Sequence, residues 1–143
     1  MDILTTMKIG GSALKAQRTR MNAIGSNIAN IDTTRTPEGG PFRKREVIFQ
    51  SNSKDFAENL SSSQRDGIAG VEVTQIRANA SPPKMVYNPG HPDADADGQV
   101  AMPNIDLMEE VADMMSATRA YEANVTVVRS AKRMAMKALE IGQ

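Results

Sequence analysis

The chain contains no cysteine and no tryptophan, a single histidine, and only 3% aromatic residues. Without cysteine there is no disulfide, no thiolate metal site and no cysteine nucleophile. One histidine, His91, makes neither a metal site nor a dyad by itself. Large rings supply much of the buried area in ordinary cores, so a compact monomeric core is thinly furnished. Ten methionines compensate in part, because Met is flexible and fills imperfect gaps. Net charge is missing too: 17 basic and 17 acidic side chains cancel, and no long-range field selects nucleic acid or an anionic membrane. No run approaches the roughly 20 apolar residues of a transmembrane helix. The stretch Met1 to Lys8 lacks the basic and then apolar plan of a cleaved secretory signal, so any export is expected to proceed without signal cleavage. The G-x-S-x-G, P-loop, dinucleotide and H-E-x-x-H patterns do not occur, which leaves catalysis, a cofactor or a small-molecule substrate without support.

What is present divides into three regions. In residues 1–32, Met7, Leu14, Met21 and Ile28 hold one heptad position, and Ile3, Gly10, Gln17, Ile24 and Ile31 hold the other. That spacing predicts an amphipathic helix with a coiled-coil-like stripe. Gly10-Gly11 costs about 1–2 kcal/mol of helix propensity, and the pair either kinks the helix or lets a neighbour approach closely. Asn30 to Thr34 competes for backbone hydrogen bonds and ends the helix.

Residues 33–103 hold all seven prolines and read as a small β-containing insert with long loops. Candidate strands are Phe42–Gln50, Val71–Arg77 and Lys84–Tyr87. Such an insert buries too little to be robust alone. In residues 104–143 a long helix is expected from about Asn104 to Ile141, with Asn104 as its cap. Its stripe is Leu107, Val111, Met114, Tyr121, Val125, Val128, Ala135 and Leu139. Acidic residues lead this segment and basic ones follow, complementing the helix dipole. The fold class is therefore mainly α: two terminal amphipathic helices pair, antiparallel or near-parallel, around the insert. Their stripes are covered either by neighbouring subunits or by the insert folding back.

Two local patterns resemble sites. Asp93-Ala94-Asp95-Ala96-Asp97-Gly98 copies half of an EF-hand loop. Loop position 12, which needs a bidentate Glu, is Asn104, so the string reads as an acidic turn. Arg43-Lys44-Arg45 is too short for a nucleic-acid surface and reads as a solvated strand face or a contact rim. The carboxylates of residues 106–113 read as solvated.

Specific strings then carry a resemblance. Ser26-Asn27-Ile28-Ala29-Asn30 followed by Thr33-Thr34, and Arg119-Ala120-Tyr121-Glu122-Ala123-Asn124 near the other end, resemble the two terminal signatures of the bacterial flagellar axial rod and hook protein family. The segment His91-Pro92-Asp93-Ala94-Asp95, with Pro103 and Asn104, is similar to one that marks its proximal-rod members. The resemblance implies a structural subunit of the flagellar basal body, in the rod that crosses the periplasm and transmits torque. It also implies export by the flagellar type III apparatus, self-association into a helical assembly through the terminal helices, and contacts with other rod proteins and the adaptor between rod and membrane ring. Phe56 and Leu60 fit the loose Phe-x-x-x-apolar form of that family's export signals. The alternative from the residues alone is a soluble helical adaptor or chaperone-like module that grips a partner helix.

Overall fold

The computed structural model describes residues 3–52 and 69–141. Phe56 and Leu60 lie outside that range. Among the described residues, two helices, α1 (Ile3–Ala29) and α2 (Leu107–Ile141), bracket four strands, β1 (Arg45–Asn52), β2 (Gly70–Ala78), β3 (Lys84–Tyr87) and β4 (Gln99–Met102). The helices run antiparallel: Arg20 Nη2 meets Asp113 Oδ1 at 3.0 Å, and Gly10 lies against Val128. At about 1.5 Å per residue α2 is roughly 50 Å long and α1 roughly 40 Å, so the last turns of α2 run past the start of α1.

β1 and β2 form one antiparallel ladder, with a register shift between Ile48 and Phe49 that leaves Thr74 as the extra residue. β3 and β4 form a second ladder from Lys84↔Met102 to Tyr87↔Gln99. Three of these strands match the expected ones. β4 escaped because Gln99-Val100-Ala101-Met102 holds one β-branched residue and no aromatic, whereas the equally short β3 carries Val86 and Tyr87.

α1 is the centre of the molecule. It packs against α2 on one side and against β1 and β2 on another, whereas α2 packs against no element but α1 among the described residues. Two stripes on α1 explain this. Gly10, Gln17, Met21, Ile24 and Ile28 follow the heptad spacing that faces α2. Ser12, Ala16, Ala23 and Asn27 recur at helical steps about a third of a turn away, and their two end members bond to the hairpin. Ala16 and Ala23 are buried core residues, yet alanine gives too little contrast to mark a face in sequence. Gly10-Gly11 does not interrupt α1. A Cβ at Gly10 would stand 2.6 Å from Val128 Cγ2, while Gly11 has nothing within 4 Å. The first glycine serves close approach of a side chain; the second has no such contact.

The seam of α2 differs from the expected one. The line buried or half-buried against α1 runs through Glu110, Met114, Ala117, Tyr121, Asn124, Val128, Ala131 and Ala135 at alternating steps of four and three, with Asp113, Ala120, Val125 and Ser130 half-buried beside it. Met114, Tyr121 and Val128 hold the expected line. The other line is shifted by one residue, from Val111, Val125 and Leu139 to Glu110, Ala117, Asn124 and Ala131. Small and polar residues occupy it because the helices sit close together. Large apolar ones are left outside: Leu107, Val111 and Leu139 are 47%, 40% and 73% exposed, and Val125 is half-buried on the flank. Ile31 lies in the turn beyond α1.

The caps also move. Asp106 Oδ1, not Asn104, accepts the amides of Met108 (2.8 Å) and Glu109 (3.4 Å), so α2 begins after Asp106. Its last turn holds no basic residue.

Candidate functional site

Three segments far apart in sequence meet at one buried polar cluster. Asn27 lies between the two packing faces of α1 and reaches both. Its Nδ2 donates to Glu110 Oε2 at 2.9 Å and to the Arg45 carbonyl at 3.0 Å. Its Oδ1 accepts the Arg45 amide at 2.8 Å. One side chain thus holds the first residue of β1 and the first turn of α2. Glu110 and Asn27 are each 1% exposed. A carboxylate so enclosed is tolerated only when paired, and Lys44 Nζ sits 2.9 Å from Glu110 Oε1 and 3.4 Å from Glu109 Oε1.

The Lys44 side chain is 15% exposed. Burial pulls its pKa down, but the hydrogen bonds and charges of Glu110 and then Glu109 outweigh that, and the group lies above the ordinary lysine value. These residues correct two readings. Glu110 is not a solvated dipole-complementing carboxylate, and Lys44 is not part of a solvated basic face. Spacing did not single out Glu110, because its line, with Ala117, Asn124 and Ala131, carries no large apolar residue.

A second attachment holds the hairpin's other end. Ser12 Oγ donates to the Ile9 carbonyl at 2.8 Å and accepts the Val71 amide at 3.1 Å. Gly70 is needed here because a Cβ would come within 2.9 Å of Ser12 Oγ. Across the ladder, Glu46 takes Arg77 at 3.0 Å and Asn79 at 2.7 Å. The Arg77 hydrogen bond leads in holding the Glu46 carboxyl below its usual range, partial burial opposes it, and Asn79 assists.

Two of the three carboxylates of the acidic loop, Asp93 and Asp95, are committed to the fold. Asp93 accepts the Thr34 hydroxyl at 2.8 Å and pairs with Arg35 at 2.9 Å. His91 Nδ1 accepts the Asp93 amide at 3.1 Å, and Asp95 Oδ1 accepts the amides of Asp97 and Gln99. These carboxylates converge on protein donors, and no group of three metal-ligating side chains exists among the described residues.

The remaining feature is apolar. Leu107, Met108, Val111 and Met115 are exposed along the first half of α2, and Val127, Met134, Leu139 and Ile141 along the second. These eight large apolar side chains are 40–86% exposed.

A family model described as flagella basal body rod protein matches residues 7–35. Another, flagellar basal body rod FlgEFG protein C-terminal, matches residues 96–141. Flagellar basal-body rod protein FlgC of Escherichia coli O157:H7 is 42% identical over 143 residues, covering all of both chains. The FlgC of Bacillus subtilis is 43% identical over 151 aligned positions, again end to end. That of Borreliella burgdorferi is 42% identical, across 100% of this chain and 99% of its own. The chain belongs to the FlgC family.

The strings that carry the resemblance sit in part at the junctions just described. Asn27 is the centre of the buried cluster. Asn30 Nδ2 donates to the Ser26 carbonyl and its Oδ1 accepts the Thr33 hydroxyl, closing α1, with Ala29 its last residue. The Thr34–Asp93 bond joins the N-terminal signature to the His91-Pro92-Asp93 segment. Pro103 is buried and Asn104 exposed. In the α2 signature, Tyr121 is half-buried and Asn124 donates back to the Ala120 carbonyl at 2.8 Å. Arg119 and Ala123 face outward, away from α1.

Proposed function

We propose that the chain is a structural subunit of the flagellar basal-body rod, which self-assembles helically through its terminal segments and transmits torque without turnover. The observation that carries this reading is the apolar face of α2. One intramolecular partner, α1, covers one side of a helix of 35 residues, and Leu107, Met108, Val111, Met115, Met134 and Ile141 stay in solvent. Each such side chain contributes about 1.5–3 kcal/mol when fully buried. A few per contact, repeated over several neighbours, lock a subunit in place without any single strong interaction.

In this reading residues 1–32 and 104–143 form the assembling core, where helices of adjacent copies complete a coiled-coil-like layer. Residues 33–103 are carried as the appended insert. The partners are other rod proteins, the adaptor between rod and membrane ring, and the flagellar export apparatus, with export proceeding without signal cleavage to a rod that crosses the periplasm. End-to-end likeness to FlgC proteins from several bacteria supports the assignment.

The test is to purify basal bodies from cells whose only copy of this protein carries an epitope tag. The tag cofractionates with the rod, and image reconstruction finds α2 against neighbouring subunits. A soluble tag, with rods complete in its absence, refutes the proposal.

A further inference from the structure

We infer that the buried Asn27–Lys44–Glu110 cluster is a conditional latch, through which the first turns of α2 dock on α1 only when the β1–β2 hairpin is already seated. Glu110 is enclosed to 1% exposure and so needs its counter-charge and its amide donor together. The counter-charge comes from Lys44 at the foot of the hairpin. The amide is Asn27 Nδ2, which is also held by the Arg45 backbone. If the hairpin lifts, Lys44 leaves and Arg45 releases Asn27. Glu110 is then buried without its ion pair, a state strongly disfavoured against exposing it. α2 gains no substitute, because it packs against no described element but α1. The latch rests on these buried groups and not on the assembly reading.

The experiment follows backbone amide exchange in the full chain with Gly70→Ala as the perturbation. Its new Cβ crowds Ser12 Oγ, and among the described residues, its chain neighbours aside, Ser12 alone lies within 4 Å of it. Along α1 that point lies near Gly10, opposite Val128, far from Glu110. Plain spreading of disturbance would therefore reach residues 124–131 of α2 first. The latch predicts a different order: amides of 45–50 and of 107–117 accelerate together, roughly 5- to 100-fold, and 124–131 respond less.

In a Lys44→Met/Glu110→Leu background, where an apolar pair replaces the ions, Gly70→Ala must accelerate 45–50 alone. Should that double substitution not fold, Glu110→Gln takes its place, and the shared response must weaken. Ser12→Ala, which removes the acceptor for the Val71 amide, has to give the same split as Gly70→Ala. The inference is overturned if 107–117 stays unmoved, if it moves equally in both backgrounds, or if it is unprotected in the native chain while the hairpin is protected.

Discussion

Gly10 and Gly11 offer an internally controlled test of how closely α1 and α2 approach. Both lie inside α1 and neither has a positive φ, so alanine suits the backbone at either position. Replacing a helical glycine by alanine gains about 0.8–1 kcal/mol of propensity. At Gly11 nothing stands within 4 Å of the new methyl, and the full gain is expected. At Gly10 the methyl would sit 2.6 Å from Val128 Cγ2, and Val128 cannot swing aside easily because a β-branched side chain in a helix has one strongly preferred rotamer. Overpacking of this kind costs about 1–3 kcal/mol. Gly10→Ala should then be neutral to about 2 kcal/mol destabilising, and the two variants should differ by the packing cost alone. Urea unfolding followed by helical circular dichroism measures both. Val128→Ala in the Gly10→Ala background should relieve the overlap, so the double variant is more stable than the sum of the single changes. If Gly10→Ala stabilises as much as Gly11→Ala, the helices are not in this register.

Asn27→Ala removes three hydrogen bonds and leaves Glu110 short of a donor; a loss of about 2–4 kcal/mol is expected in urea unfolding. Gln17→Met should raise stability by about 1 kcal/mol, because Gln17 Oε1 is enclosed without a hydrogen-bond partner among the described residues and a thioether of similar shape removes that cost. Glu46 has a folded-state pKa below its ordinary value of 4.5. Its stabilising share is present above that value and fades as pH falls through the folded one, whereas Lys44, raised above 10.5, keeps its share until pH rises through its own folded value. Thermal melts should therefore weaken at the acid and alkaline extremes and stay level between pH 6 and about 9 as far as these two groups are concerned. Met108→Asp, on the exposed face, should change monomer stability by no more than about 0.5 kcal/mol yet remove the protein from purified basal bodies; normal incorporation would refute the proposed contact face.

The terminal helices, three of the four strands and the family were legible in the residues, since heptad spacing, β-branched runs and two signature strings are local properties. Apolar periodicity alone set where α1 and α2 would lie and that their stripes would exceed what one partner covers. Which line of α2 turns inward was not legible. A helix shows several candidate stripes, and only the distance of closest approach, fixed by Gly10, Ala117 and Ala131, admits the small and polar line and leaves Leu107 and Val111 outside. Nor could spacing reveal that Lys44, in a basic triplet, and Glu110, in an acidic first turn, neutralise each other across 66 residues of chain. Charge patterns in sequence report solvent exposure by default. The pairing of a buried carboxylate with a half-buried lysine depends on three segments converging, which is a property of the tertiary fold.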